Sequence, residues 1–287
     1  MCAIQQLIRQ SLLTGPLLVG DLSEAAVLDR SLFGEVEPER TLNFNQKLGH
    51  LYEDALEQLL DASNSLERLA SHMQIIDDAK VTLGELDFIL YDKLTEAHMH
   101  LELAVKFYLA VETSNGWEFP GPDPRDNWQR KLDRMRTHQF VLGQHPTARH
   151  QLKERFGIER IKSRQLIYGC IFLPMTCEAV PLPDSIATNA RKGRWLYASE
   201  WNKFFSEVEE VLHVPKVLWP VELVSEVQAS LETIDIGKLH SLSKEHCTMF
   251  VLPGSVEPRF LVPDNWLEVG TSALRRPFVG DLCSADV

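Results

Sequence analysis

Carboxylates and a lysine recur at even spacing in two apolar stretches of the chain. Glu85 and Asp87 lie in TLGELDFILYD, and Glu102 and Lys106 lie in HLELAVKFYL. In a β-strand, residues at even spacing share one face. Carboxylate oxygens suit Mg²⁺, a bound metal ion lowers the pKa of a water, and a lysine stabilises charge that develops on phosphorus. These residue types predict a Mg²⁺ or Mn²⁺ site for phosphodiester hydrolysis, with Asp87 and Glu102 as metal ligands.

A third carboxylate is expected from the segment that precedes these strands. From Leu48 to Leu66 the apolar residues follow i, i+3, i+4 and i+7 spacing, which predicts an amphipathic helix. Glu53 and Glu57 lie one turn apart on the flank of its apolar stripe. One of them is expected to reach the predicted site.

The clearest secondary-structure pattern runs from His98 to Val111, where every odd position is apolar. Strict alternation over this length predicts a strand with one apolar and one polar face. The residue types would also suit a helix, in which Glu102 and Lys106 form an i, i+4 ion pair of little energetic value. Around this strand the patterns predict further strands and one helix: strands at His72–Ile76, Val81–Tyr91 and Gln165–Pro174, and a helix at Asp126–Gln144.

These elements predict an α/β fold, a mixed central sheet flanked by helices. We expect an N-terminal helical segment over residues 1–66, a core over 67–180 and an α+β extension over 181–287. The boundary near residue 180 marks a change to aromatic and proline-rich sequence. Within the extension, CTMFVLP and RFLVP flank a Gly-Ser turn and predict a hairpin.

Charge is distributed unevenly along the chain. The net charge is −12, which excludes binding of nucleic acid or anionic membrane by bulk charge. Between Arg125 and Arg164, however, eleven basic residues stand against four acidic ones. A basic segment in an acidic chain predicts a surface that contacts phosphates, although a solvated helix face is an equally simple explanation. The residues expected to contact nucleic acid are Arg130, Lys131, Arg134 and Arg136.

Composition indicates a reduced, cytoplasmic protein without membrane segments. The N-terminal residues are too polar for a signal peptide, and no run of 18 apolar residues occurs. The five cysteines are scattered without a C-x-x-C pair, which argues against structural zinc or a disulfide framework.

The order of these elements resembles the PD-(D/E)XK nuclease superfamily. More closely, the chain resembles a bacterial family known as domain of unknown function 1853, over roughly residues 10 to 270. The segments that carry this likeness are LGHLYEDALEQLL, TLGELDFILYD, HLELAVKFYL, GPDPRDNWQRKLDRMRTHQ and RKGRW. The resemblance implies a metal-dependent nuclease that acts on DNA or RNA.

Carried over by position, the resemblance implies Asp87 as the strand acid, Lys106 as the motif lysine and Glu53 as the helix glutamate. One position departs from the pattern: two residues before the lysine stands Ala104, and the acid is Glu102. Glu102 and Ala104 share a strand face about 7 Å apart, so the glutamate would have to reach along the strand. If it does not, a degenerate, non-cleaving protein is expected. Gln139 is a further expected contact of the site.

Two other functions fit parts of the sequence. His98, His100 and Glu102 form a His-x-His-x-Glu pattern that could hold a metal in a cupin-like oxidoreductase, but this would require another histidine, and His72 is the only one nearby. A non-catalytic scaffold would keep the nuclease fold and act by binding a nucleic acid or a protein. The four tryptophans of the extension suit a protein partner.

Overall fold

A computed structural model describes residues 2–37 and 40–268 of the chain. Its central feature is one ten-stranded mixed sheet, with a separate two-stranded hairpin. The strands are β1 (Ala26–Val27), β2 (Leu66–Ile76), β3 (Thr82–Asp92), β4 (Ala97–Leu109), β5 (Val111–Thr113), β6 (Gly116–Glu118), β7 (Lys162–Pro174), β8 (Lys192–Tyr197), β9 (Glu210–His213), β10 (Glu232–Asp235), β11 (Thr248–Val251) and β12 (Arg259–Val262). The helices are α1 (Cys2–Thr14), α2 (Leu48–Asp61), α3 (Trp128–Arg134), α4 (Pro146–Phe156), α5 (Trp201–Phe205), α6 (Ser225–Gln228) and α7 (Ile236–Leu242).

The main sheet has the strand order β10-β9-β11-β12-β8-β7-β4-β3-β2, with β1 paired to β7. Its centre is parallel, because β4, β7, β8 and β12 run in the same direction. Both ends are antiparallel: β2, β3 and β4 form a meander, and β9 to β12 form the other end. The predicted C-terminal hairpin is confirmed as β11 and β12.

Helices cover both faces of the sheet, as the alternating pattern of β4 requires. The odd-numbered side chains Leu101 and Leu103 pack in one core with α1 and α2. The even-numbered side chains Ala104 and Tyr108 pack in another core with Trp128 and Leu132 of α3. The helix α4 extends this second layer, packing Ala148 and Leu152 over β2 and β3. The polar face of β4 therefore lies on the side of α3, where His100 and Glu102 are buried and His98 and Lys106 are half-buried.

Two predicted helices differ from the structure. The helix expected over Leu48–Leu66 ends at Asp61, and Leu66 already begins β2. The helix expected over Asp126–Gln144 is divided into α3, a π-helical turn over Met135–Gln139 and a short 3₁₀ turn over Leu142–Gln144. In both cases tertiary packing outweighs local helix propensity.

The sheet continues across the boundary predicted near residue 180, since β8 pairs with β7 over Ile171–Pro174. The division into three segments stays a prediction, and the predicted extension runs to residue 287, beyond the described residues. In the part of the chain that the structure describes, no helix is both long and apolar enough to cross a membrane.

Candidate active site

The strands β3 and β4 separate at Asp87, and this separation builds the site. Their pairing runs from Asp92 opposite Ala97 to Phe88 opposite Leu101. At the next residue a side chain replaces the backbone acceptor: Asp87 Oδ2 accepts a hydrogen bond of 3.0 Å from the backbone N–H of Leu103. The side chain thus satisfies a β4 donor at the point where the backbone pairing of the two strands ends. Asp87 is held rigidly beside the polar face of β4.

Glu102 lies on that face and is almost fully buried, with a residue exposure of 2%. Its Oε1 accepts a short hydrogen bond from the side-chain amide of Gln139. The Gln139 Oε1 in turn accepts a hydrogen bond of 2.7 Å from Lys131 Nζ. The second Glu102 oxygen, Oε2, is buried and has no hydrogen-bond partner in the described part of the chain. A lysine, an amide and a carboxylate therefore form a chain that leads from α3 to β4.

The π-helical turn explains how Lys131 and Gln139 come to meet. In a regular α-helix, eight residues rotate the chain by roughly two turns and a further 80°, which would separate the two side chains. The turn closes with the Phe140 N–H donating to the Met135 carbonyl, an i→i+5 bond. A π-helical turn contains more residues per rotation than an α-helical turn. It returns Gln139 to the helix face that carries Lys131.

Negative charge is concentrated around Asp87 and Glu102. Burial raises the pKa of Asp87 to about 7, and repulsion from Glu53 and Glu85 adds to the rise. Burial also raises the pKa of Glu102 well above its usual range, with further repulsion from Asp87. Lys131 opposes both shifts, while its own pKa is lowered by burial. Repulsion among acidic side chains and attraction to Lys131 therefore both act on Asp87 and Glu102.

Glu53 and Glu85, which repel this pair, come from different elements and have their own partners. Glu53 comes from α2, and its Oε2 lies 2.8 Å from His50 Nδ1. Glu85 lies on β3, two residues before Asp87, and its Oε1 lies 3.3 Å from His72 Nδ1. Glu53 and Glu85 thus act on the strand acid through charge, and the role of Glu53 in the site stays a prediction.

The structure places Lys106 differently from the expectation. Its Nζ forms an ion pair of 2.9 Å with Asp126 Oδ2, and the other oxygen of Asp126 lies 3.5 Å from the Tyr108 hydroxyl. Lys106 stands four residues beyond Glu102 on β4, so it extends past the carboxylate. The lysine that connects to Glu102 through Gln139 is Lys131, a residue that the sequence predicts on the nucleic-acid surface.

His100, which lies beside Glu102, is also a buried polar side chain without a hydrogen-bond partner in the described part of the chain. Its ring is completely buried, and neither ring nitrogen has a hydrogen-bond partner among the described residues. Burial lowers the pKa of His100 to about 4, so the ring is neutral at pH 7. Glu102 Oε2 lies 3.7 Å from His100 Nε2. His98 makes a ring contact with Tyr91 instead, so the two histidines do not converge.

The other basic residues expected to contact nucleic acid lie outside the site. Arg130 and Arg134 are exposed on α3, and Arg130 donates to the Arg125 carbonyl at 2.9 Å. Arg136 pairs with Glu24 at 3.6 Å. Two of the four expected contacts therefore keep an exposed side chain.

The site offers oxygen ligands, which suit cations such as Mg²⁺, but it offers few of them. Within residues 2–37 and 40–268, no three His, Cys, Asp or Glu side chains are grouped closely enough to hold a metal ion. Asp87 and Glu102 supply two carboxylates, one of which has a buried, unpartnered oxygen. Mg²⁺ commonly takes only one or two protein carboxylates and completes its shell with water and phosphate oxygens. The residues present fit that kind of ion.

Lys131 is the site residue whose position the sequence analysis did not recognise. A usable signal exists, since Lys131, Met135 and Gln139 recur every four residues and follow the strand that carries Glu102. The π-helical turn that aligns them has no comparable sequence signature. The basic surroundings of Lys131 instead suggested a surface role.

Fold and site together define a mixed α/β protein with a buried and a half-buried carboxylate, Glu102 and Asp87, where two strands of its central sheet separate. The family model described as domain of unknown function (DUF1853) matches residues 21–253. The chain belongs to this family. No curated protein matches it, and no solved structure matches it.

Proposed function

We propose that this protein is a metal-dependent nuclease of the PD-(D/E)XK type that hydrolyses phosphodiester bonds. One observation carries the proposal: the half-buried Asp87 accepts from the backbone N–H of Leu103, directly beside the buried Glu102, and both carboxyls have raised pKa values with Lys131 close by. Strongly perturbed carboxylates in one neighbourhood are typical of functional sites. A divalent cation would relieve their repulsion.

Asp87 and Glu102 would hold Mg²⁺ or Mn²⁺, which would activate a water and neutralise charge at the phosphate. The protein contributes orientation. Asp87 is fixed by the Leu103 N–H, and Glu102 is fixed by Gln139. Glu102 thereby replaces the acid that the superfamily carries at the position of Ala104.

Lys131 takes the role that the sequence assigns to Lys106. It approaches from α3 and reaches the carboxylates through Gln139, whereas Lys106 is neutralised by Asp126. A lysine held at a phosphate stabilises the charge that develops there. The exposed Arg130 and Arg134 on the same helix would contact the backbone of the substrate.

The test begins with Mn²⁺ binding, measured by calorimetry on the wild type, Asp87→Asn and Glu102→Gln. Both substitutions remove a ligand charge while keeping the side-chain shape, so each should abolish binding. Cleavage of single- and double-stranded DNA and RNA is then assayed with Mg²⁺ and with Mn²⁺. Wild type that binds no metal ion and cleaves none of these substrates would contradict the proposal.

The two lysines provide a matched comparison within the same site. Lys131→Met should leave Mn²⁺ binding within about threefold yet slow cleavage by about 10²-fold or more, because a charge beside the phosphate is lost. Lys106→Met should slow cleavage much less. A larger loss of cleavage rate in Lys106→Met than in Lys131→Met would instead assign the catalytic role to Lys106.

A catalytically inactive scaffold is the second candidate. The observation that favours it is the small donor set, in which no three potential ligands are grouped among the described residues. Such a protein would bind nucleic acid or a protein partner without cleaving. Binding of an oligonucleotide in the presence of Mn²⁺, without any cleavage, would support it.

A further inference from the structure

A surface cavity of about 380 Å³ lies where α4 ends and the chain turns toward β7. Six residues line it, and we call it the α4 cavity: Arg149, His150, Lys153, Ile158, Glu159 and Arg160. Three permanently cationic side chains thus face a single carboxylate. On a chain of net charge −12, this is a local concentration of positive charge.

The backbone forces these cations together. Arg149 and Lys153 are four residues apart on α4 and share a face of the helix, where like charges repel. Gly157 then adopts a left-handed conformation, with φ of 70°, that ends the helix. The buried Ile158 anchors the turn in the core beside Leu152, and this places Arg160 at the same cavity.

Ion pairs within the protein neutralise only part of this charge. Lys153 Nζ lies 3.0 Å from Glu159 Oε1, and His150 lies 3.7 Å from Glu154. Across the described residues, neither Arg149 nor Arg160 takes part in a salt bridge or a side-chain hydrogen bond. Two guanidinium groups at one concave surface are therefore available to a ligand.

Helix stabilisation does not account for this arrangement. Cations near a helix C-terminus are favourable, which explains Lys153 and Arg155 in the last turn. Arg149 lies in the first turn, where the helix dipole disfavours positive charge. Arg160 lies beyond the helix altogether. Stabilisation of the helix therefore does not explain why Arg149 and Arg160 lie at this cavity.

We propose that the α4 cavity binds phosphate groups of a nucleic-acid backbone through Arg149 and Arg160, with Lys153 alongside. Planar guanidinium groups match phosphate oxygens in a bidentate geometry. A cleft lined by charge of one sign also concentrates the opposite charge. This inference rests on the proposed function for the nature of the ligand, and it uses none of the metal chemistry.

The experiment measures binding of a labelled single-stranded oligonucleotide by fluorescence anisotropy in EDTA, across a range of salt concentrations. The Asp87→Asn background is used, so that loss of metal binding or cleavage has no influence on the result. Arg149→Glu and Arg160→Glu should each weaken binding about tenfold and reduce the salt slope by about one unit. Arg149→Gln, which introduces no new charge, should show a smaller loss in the same direction.

Arg155→Glu is the matched control, because Arg155 is exposed on the same helix and does not line the cavity. It should change the affinity by less than about threefold. Thermal unfolding of each variant confirms that α4 is intact. Equal losses for Arg155→Glu and Arg149→Glu would overturn the proposal, because binding would then depend on diffuse charge.

Competition with pyrophosphate distinguishes a site for a nucleic-acid backbone from a site for small phosphate compounds. Pyrophosphate should displace the oligonucleotide only partly and only at high concentration, because it fills one phosphate contact among several. Wild type that binds pyrophosphate but no oligonucleotide would overturn the assignment to a nucleic-acid backbone. Wild type that binds neither would overturn the site itself.

Discussion

Replacement of Asp87 by asparagine should stabilise the metal-free protein above neutral pH. The pKa of Asp87 is raised from its usual value of about 4 to about 7, chiefly by burial. An acid with a raised pKa in the folded state makes folding less favourable as it ionises. The protonated Asp87 carboxyl therefore contributes its full stabilisation below about pH 4. This contribution to the free energy of unfolding is lost as the pH rises from about 4 through about 7.

The size of this effect follows from the pKa difference. Three pKa units at about 1.36 kcal/mol each lower the free energy of unfolding by about 4 kcal/mol at pH 8, and roughly a third of this is already lost at pH 5. Asparagine has no such titration, and its side-chain oxygen still accepts from the Leu103 N–H. The advantage of Asp87→Asn in free energy of unfolding should therefore grow by about 3 kcal/mol between pH 5 and pH 8.

The assay is urea unfolding followed by tryptophan fluorescence at pH 5, 6, 7 and 8, in EDTA. Glu67→Gln serves as the control, since Glu67 is an exposed carboxylate on the neighbouring strand β2. Its stability should stay within about 0.5 kcal/mol of the wild type at every pH. An advantage of Asp87→Asn that does not grow with pH, or that Glu67→Gln shows equally, would refute the reasoning.

The same measurement connects stability to the metal site. Mn²⁺ at about 100 times its dissociation constant should stabilise the wild type by about 2.7 kcal/mol at pH 8. It should leave Asp87→Asn unchanged, because the ligand is gone. Stabilisation of both proteins by Mn²⁺ would locate the ion elsewhere.

Two further predictions concern the strands that position the site. Gly169→Ala should destabilise the protein by at least about 3 kcal/mol in urea unfolding, since its φ is 149° and a Cβ there would lie 1.6 Å from the Lys106 carbonyl oxygen. Gly20→Ala, where a Cβ would meet nothing within 4 Å, is the control and should be nearly neutral. His100→Leu should keep or raise the stability by up to about 2 kcal/mol, because a buried imidazole without a hydrogen-bond partner is replaced by an apolar group. Destabilisation of His100→Leu by more than 1 kcal/mol would indicate a bond that this ring makes in solution.

The sequence by itself determined the strands and their faces. The alternation predicted from His98 to Val111 appears in the structure as β4, which ends at Leu109. Glu102 and Lys106 share one face, and Leu101 and Leu103 pack against α1 and α2 on the other. This succeeded because side-chain direction in a strand depends only on residue parity. The family assignment rests likewise on the linear order of residues, and the match to residues 21–253 bears it out.

Only the tertiary structure decided which side chains meet. Lys106 shares the strand face of Glu102, yet it pairs with Asp126, which reaches it from the loop before α3. Lys131 is 29 residues beyond Glu102 in the chain and meets it through Gln139 because a π-helical turn realigns the helix. The raised pKa of Asp87 has the same origin, since burial depends on the elements packed around the residue. Local periodicity carries no information on such long-range contacts, and the site is made of them.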